Sequence, residues 1–144
     1  MGPEAERDTP AQVLVVDDDT DWAWRLEERL STDAQVLVVG DGQEAASKIH
    51  GVKAVVMEIE LPGMDGAELA VSALSGCESP PFIVVVTGLD PDDLRLQLLE
   101  NLPHVAAIIH KPVEPEVVQA AVACALAGDL EGTRKQTMAG REQA

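Results

Sequence analysis

The chain has 144 residues, 26 acidic against 10 basic, for a net charge of −16, and its only aromatic side chains of the Phe, Trp and Tyr kinds are Trp22, Trp24 and Phe82. That length suits one domain, and an apolar share of 46% supplies a core that must be aliphatic. The tail 128–144 is balanced in charge, so the acidity belongs to the body, and such a field repels nucleic-acid phosphate and anionic lipid, which argues against direct binding of either.

Residues 1–11 are polar and read as a flexible lead, without the apolar segment of a signal peptide. No apolar run approaches the roughly 20 residues of a membrane span. Cys77 and Cys124 are too few for a disulfide framework, so a reducing cytoplasm is expected.

From residue 12 to 127 short apolar runs alternate with longer amphipathic segments. Val13–Val16 opens the series, and Asp17, Asp18 and Asp19 follow it. Trp22, Leu26 and Leu30 then recur every four residues, which predicts a helix. Trp24 falls on its opposite side and is expected outside, a plausible interface anchor or a cover for a neighbouring loop. Val36–Val39 is the second run, and Asp41 with Glu44 reads as a helix cap with its partner three residues on. Ala54–Met57 is the third, followed by Glu58 and by a second cap pair, Asp65 with Glu68. Phe82–Val86 leads to Thr87 and Gly88, and Asp90-Pro91 predicts a helix start. Val105–Ile109 leads to His110, Lys111 and Pro112, and Glu114-Pro115 starts the last helix. Gly51, Gly76 and Gly128 stand where helices should stop. The runs are continuous rather than alternating, as in strands buried on both faces. The pattern predicts a doubly wound α/β sandwich, (βα)5, with a parallel sheet and helices on both sides. Residues 128–144 lack periodicity and are expected to be a disordered tail.

Ligands of such sheets sit beyond the carboxyl ends of the strands. That edge collects Asp17, Asp18, Glu58, Thr87 and Lys111. Three carboxylates so close would raise one another's pKa unless a cation is present, and Mg2+ or Lys111 could supply the charge. A cation, a lysine and a hydroxyl around one carboxylate is what phosphoryl transfer to that carboxylate requires. Each piece also has a plain reading. Asp17–Asp19 could be a solvated capping run, Glu58 a surface acid, Thr87 a strand end and Lys111-Pro112 a common pair. Their company at one sheet edge favours a site. His50, His104 and His110 suggest no role, and Cys77 reads as an incidental exposed thiol.

Val-Leu-Val-Val-Asp-Asp-Asp (13–19), Leu-Pro-Gly-Met-Asp-Gly (61–66), Val-Val-Val-Thr-Gly (84–88) and His-Lys-Pro (110–112) together resemble the receiver domain of two-component response regulators. The resemblance spans about residues 12–127 and implies strand order 2-1-3-4-5. It implies that Asp17 and Asp18 are the acid pair that holds Mg2+, with the Glu60 backbone carbonyl as a further ligand. Thr87 matches the switch hydroxyl and Lys111 the phosphoryl-binding lysine. Glu58 stands where the family's phosphoacceptor aspartate would be, and would itself be a metal ligand if one binds. Glutamate is one methylene longer, a displacement of about an ångström that can cost about 10²-fold in rate. Its fixed charge partly imitates an acyl phosphate. Ile108 replaces the family's inward-swinging aromatic and is β-branched and stiff. Both departures point to an atypical receiver with a disabled or fixed switch, a non-enzymatic interaction module whose partner is a histidine kinase or an output protein. The last helix, Val113–Ala127, is apolar nearly all round, with Ala120, Ala123 and Leu126 on the same outer half as Gln119, and is expected to contribute to a homodimer or partner interface. A functional phosphoacceptor is the alternative. A phosphatase of the haloacid dehalogenase type is a remote one, since Asp21 stands where that family has Thr or Val and no late acid pair follows Lys111.

Overall fold

The computed structural model describes residues 12–128. Five strands form one parallel sheet: β1 (Val13–Val16), β2 (Val36–Val39), β3 (Ala54–Met57), β4 (Phe82–Thr87) and β5 (Val105–His110). Their order is β2-β1-β3-β4-β5, as expected. The helices are α1 (Thr20–Leu30), α2 (Gly42–Lys48), α3 (Gly66–Gly76), α4 (Leu94–Glu100) and α5 (Pro115–Leu126). The expectations for 1–11 and 129–144 lie outside the described residues. Among those described, no helix is long and apolar enough to cross a membrane.

The central strands β1 and β3 are buried along their whole length, which is why their runs are continuous rather than alternating. Successive side chains leave on opposite faces. Leu14, Val16, Val55 and Met57 meet Ile49, Leu69 and Leu99 under α2, α3 and α4. Val13, Val15 and Val56 meet Trp22, Leu26 and Val118 under α1 and α5. Each fully buried aliphatic side chain contributes about 1.5–3 kcal/mol. The sheet edge departs from the sequence expectation. In β2 only Val39 is buried, and Leu37 is exposed, because one flank of this strand has no neighbour.

Strand β5 carries an irregularity that periodicity does not show. Ile83 pairs with Val105 but Val84 pairs with Ala107, so Ala106 is an extra residue. This bulge shifts the phase of the strand. Val105 and Ile108, three apart, therefore pack on the same layer, while Ala107 and Ile109 pack on the other.

Four helices start on an aspartate whose carboxylate accepts backbone N–H bonds: Asp19, Asp41, Asp65 and Asp93. Such a cap contributes about 1 kcal/mol. The expected start at Asp90-Pro91 is corrected by three residues. Asp90 accepts from the Asp92 amide and closes a turn, so α4 begins only after Asp93. Glu114-Pro115 starts α5 as read.

Candidate functional site

The backbone ladder runs one residue past three of the strands and so fixes the site. The Asp17 amide donates to Val39 O at 3.1 Å, the Glu58 amide to Val16 O at 3.0 Å, and the Lys111 amide to Thr87 O at 2.8 Å. The loop after Glu58 folds back tightly. The Gly66 amide donates to Ile59 O at 2.8 Å, and a Cβ on Gly66 would come within 2.5 Å of the Glu58 carbonyl. Only glycine permits that approach.

Lys111 links two of the expected acids. Its ammonium lies 2.8 Å from Asp17 Oδ2 and 3.6 Å from Glu58 Oε1. It also sits 5.7 Å from the centroid of the Trp22 ring, within cation–π range. Asp17 is 3% exposed, and its other oxygen accepts from the Asp19 amide at 2.9 Å. Burial pushes the Asp17 carboxyl above the ordinary carboxylate range, and the charge of Glu58 adds to the rise; the bonds from Lys111 and the Asp19 amide oppose it.

Glu58 is tied from several sides. Its Oε2 accepts from the Ile59 amide at 2.6 Å, and its Oε1 accepts from the Gly88 amide at 3.2 Å. Two backbone N–H groups and an ammonium around one carboxylate make an anion cradle, and here the anion is a side chain of the chain itself. Sequence reading missed the two amides because backbone donors leave no mark in residue type. It missed Trp22 as a platform for the lysine because its spacing marks it as core.

Other expected members stand apart. Asp18 is exposed to solvent. The Glu60 carboxylate turns to Arg95 at 3.6 Å. Thr87 is fully buried, and its Oγ1 accepts from the Leu89 amide at 3.1 Å, which commits the hydroxyl to its own loop. Ile108 packs against the core layer beneath α2, α3 and α4.

The expected gathering of Asp17, Asp18 and Glu58 around Mg2+, with the Glu60 carbonyl, is therefore not assembled. Among the described residues no three His, Cys, Asp or Glu side chains are grouped so as to hold a metal ion. Each oxygen of Asp17 and Glu58 already faces an amide or the lysine. The Lys111 ammonium supplies to both acids positive charge of the kind a dication would otherwise bring.

A second ionic cluster flanks the first. Arg95 binds Asp93 through two bonds, at 3.0 and 2.9 Å, and reaches Asp65 at 3.7 Å as well as Glu60. It joins the start of α4 to the loop between β3 and α3. The bonds to Arg95 hold the Asp93 carboxyl below its usual range.

Comparison with known proteins agrees with this architecture. The chain is 30% identical over 115 residues to protein-glutamate methylesterase/protein-glutamine glutaminase 4 of Myxococcus xanthus, covering 76% of this chain and 32% of that protein. It is 26% identical over 133 residues to the probable transcriptional regulatory protein NarL of Mycobacterium tuberculosis, covering 89% and 59% respectively. The chain thus spans from about a third to three fifths of the length of these relatives. Its fold superimposes on a CheY-like receiver domain protein of Methanospirillum hungatei with a TM-score of 0.72, at 23% identity and coverage of 85% and 98%. The response regulator receiver domain profile matches residues 13–123, and it lends no support to the phosphatase alternative. A doubly wound fold, an acid and a lysine at its switch edge and this match make one conclusion: the chain belongs to the response regulator receiver domain family.

Proposed function

We propose that this receiver is a signalling interaction module in which Glu58 occupies the phosphoacceptor seat and conventional aspartyl phosphorylation does not operate. One observation carries the reading. The cradle formed by the Ile59 amide, the Gly88 amide and Lys111 holds the Glu58 carboxylate. A permanent charge stands where a removable one would come and go. Asp17 then serves to anchor Lys111, and Thr87 and Ile108 play no part in a phosphoryl-driven swap.

The module acts in the cytoplasm on a protein partner, a histidine kinase or an output protein, without an enzymatic activity of its own. Leu126 and Ala123 on α5 are exposed and support a contact through that helix, either with a second copy or with the partner. Gln119 is not free for it, since its amide donates to Arg29 O at 3.1 Å across to α1.

Incubation with acetyl phosphate and Mg2+, followed by intact mass, tests the reading. No adduct is expected. A stable gain of about 80 Da, the mass of one phosphoryl group, mapped to Glu58 would overturn it in favour of a working phosphoacceptor. The lysine and the two amides are also what such an acceptor would use.

A further inference from the structure

At the opposite edge of the sheet, away from the pocket, two chemically active side chains from different helices meet. His50 follows the end of α2, and Cys77 closes α3, its amide donating to Ala73 O at 3.2 Å. The Cys77 sulfur lies 3.2 Å from His50 Nδ1. The imidazole also rests against the helix end, where a Cβ on Gly76 would sit 3.8 Å from its Cε1. A thiol with a base within hydrogen-bond reach is the arrangement that activates a nucleophile. The site is open, since Cys77 is half-exposed and His50 exposed.

We infer that Cys77 and His50 form a thiol modification site that takes small soft electrophiles, such as an alkylating carbon or a hydroperoxide oxygen. His50, with its other proton on Nε2, takes the thiol proton at Nδ1. The sulfur forms a bond to the electrophilic atom while that atom's bond to its leaving group breaks. The leaving group departs with the electron pair, and His50 returns the proton to it or to water. The site is independent of the Glu58 pocket, as the two lie at opposite ends of β3.

Cys124 on α5 is the internal control. It is also a half-exposed free thiol, and it lies on a different helix from the Cys77–His50 pair. The folded full chain is treated near neutral pH with limiting iodoacetamide, and each cysteine is quantified by peptide mass. Cys77 is expected to react about tenfold faster than Cys124, and His50→Gln to bring the two within about twofold while leaving Cys124 unchanged. In guanidinium chloride both thiols should react at similar rates in either chain, which ties the difference to the fold. Equal rates in the folded wild type, an unchanged Cys77 rate in His50→Gln, or a parallel fall at both cysteines would each overturn the assignment.

Discussion

Two cations at the same end of the molecule each hold several acids, yet their acids respond in opposite ways. Lys111 lies 2.8 Å from Asp17, and the Asp17 carboxyl is nevertheless pushed up. Arg95 lies 2.9 Å from Asp93, and the Asp93 carboxyl is pulled down. The distances are alike, but desolvation is the largest influence on Asp17 and the bonds from Arg95 are the largest on Asp93. The Asp17 side chain is 3% exposed against 24% for Asp93. Desolvation outweighs the lysine at the first site, while water carries much of that cost at the second. The inner pair is a place of constraint, and the outer cluster is a brace between two loops.

Breaking the inner site should have the largest consequence. Lys111→Met leaves Asp17 and Glu58 facing each other without a cation and should lower unfolding stability by about 3 kcal/mol, read from urea melts at neutral pH. Next comes the pocket chemistry. Glu58→Asp shortens the side chain and withdraws it from the Gly88 amide. Its phosphorylation by acetyl phosphate with Mg2+ should exceed that of the wild type by about 10²-fold, followed by intact mass. A substitution that leaves both chains equally inert would refute the view that the extra methylene is what disables the seat.

The pH response sharpens the contrast. A carboxyl raised by folding contributes stability while protonated, fully below its unfolded value of about 3.9, and loses it as pH rises through its folded value. Asp17 is such a group. Asp17→Asn should therefore flatten the fall in stability from about pH 4 upward, which melts at several pH values will show. Asp93 has the reverse sign: its contribution is present above about 3.9 and fades as pH falls through its lowered value. The smallest effect belongs to the brace. Arg95→Met should cost less than about 1 kcal/mol, and added salt should shrink it further, because the guanidinium and its partners remain in contact with solvent.

Much of this was legible in the residues. The Val- and Ile-rich runs mark the strands because central parallel strands are buried on both faces, and the residues that close them mark the functional edge because strand ends define it. Burial of Trp22 and exposure of Trp24 follow from helical spacing alone. What escaped was set by contacts between distant segments. Ala106 is an ordinary strand residue until its pairing with β4 makes it a bulge. Asp90-Pro91 carries a good helix-start signal, and the turn before Asp93 overrides it. Asp18 resembles its neighbour Asp17 in sequence, but one residue of strand periodicity turns it to water. Thr87 has the right residue type, and only the Leu89 amide shows where its oxygen is engaged.

The indole beneath the Lys111 ammonium gives the pocket an optical gauge. Trp22 is shielded from water and lies 5.7 Å from the lysine ammonium, whereas Trp24 is 63% exposed and should emit as a solvated indole. With Trp24 replaced by phenylalanine, the remaining emission would register any displacement of that ammonium, whether by a docking protein, a proton or an engineered change at position 58, without any label attached to the chain.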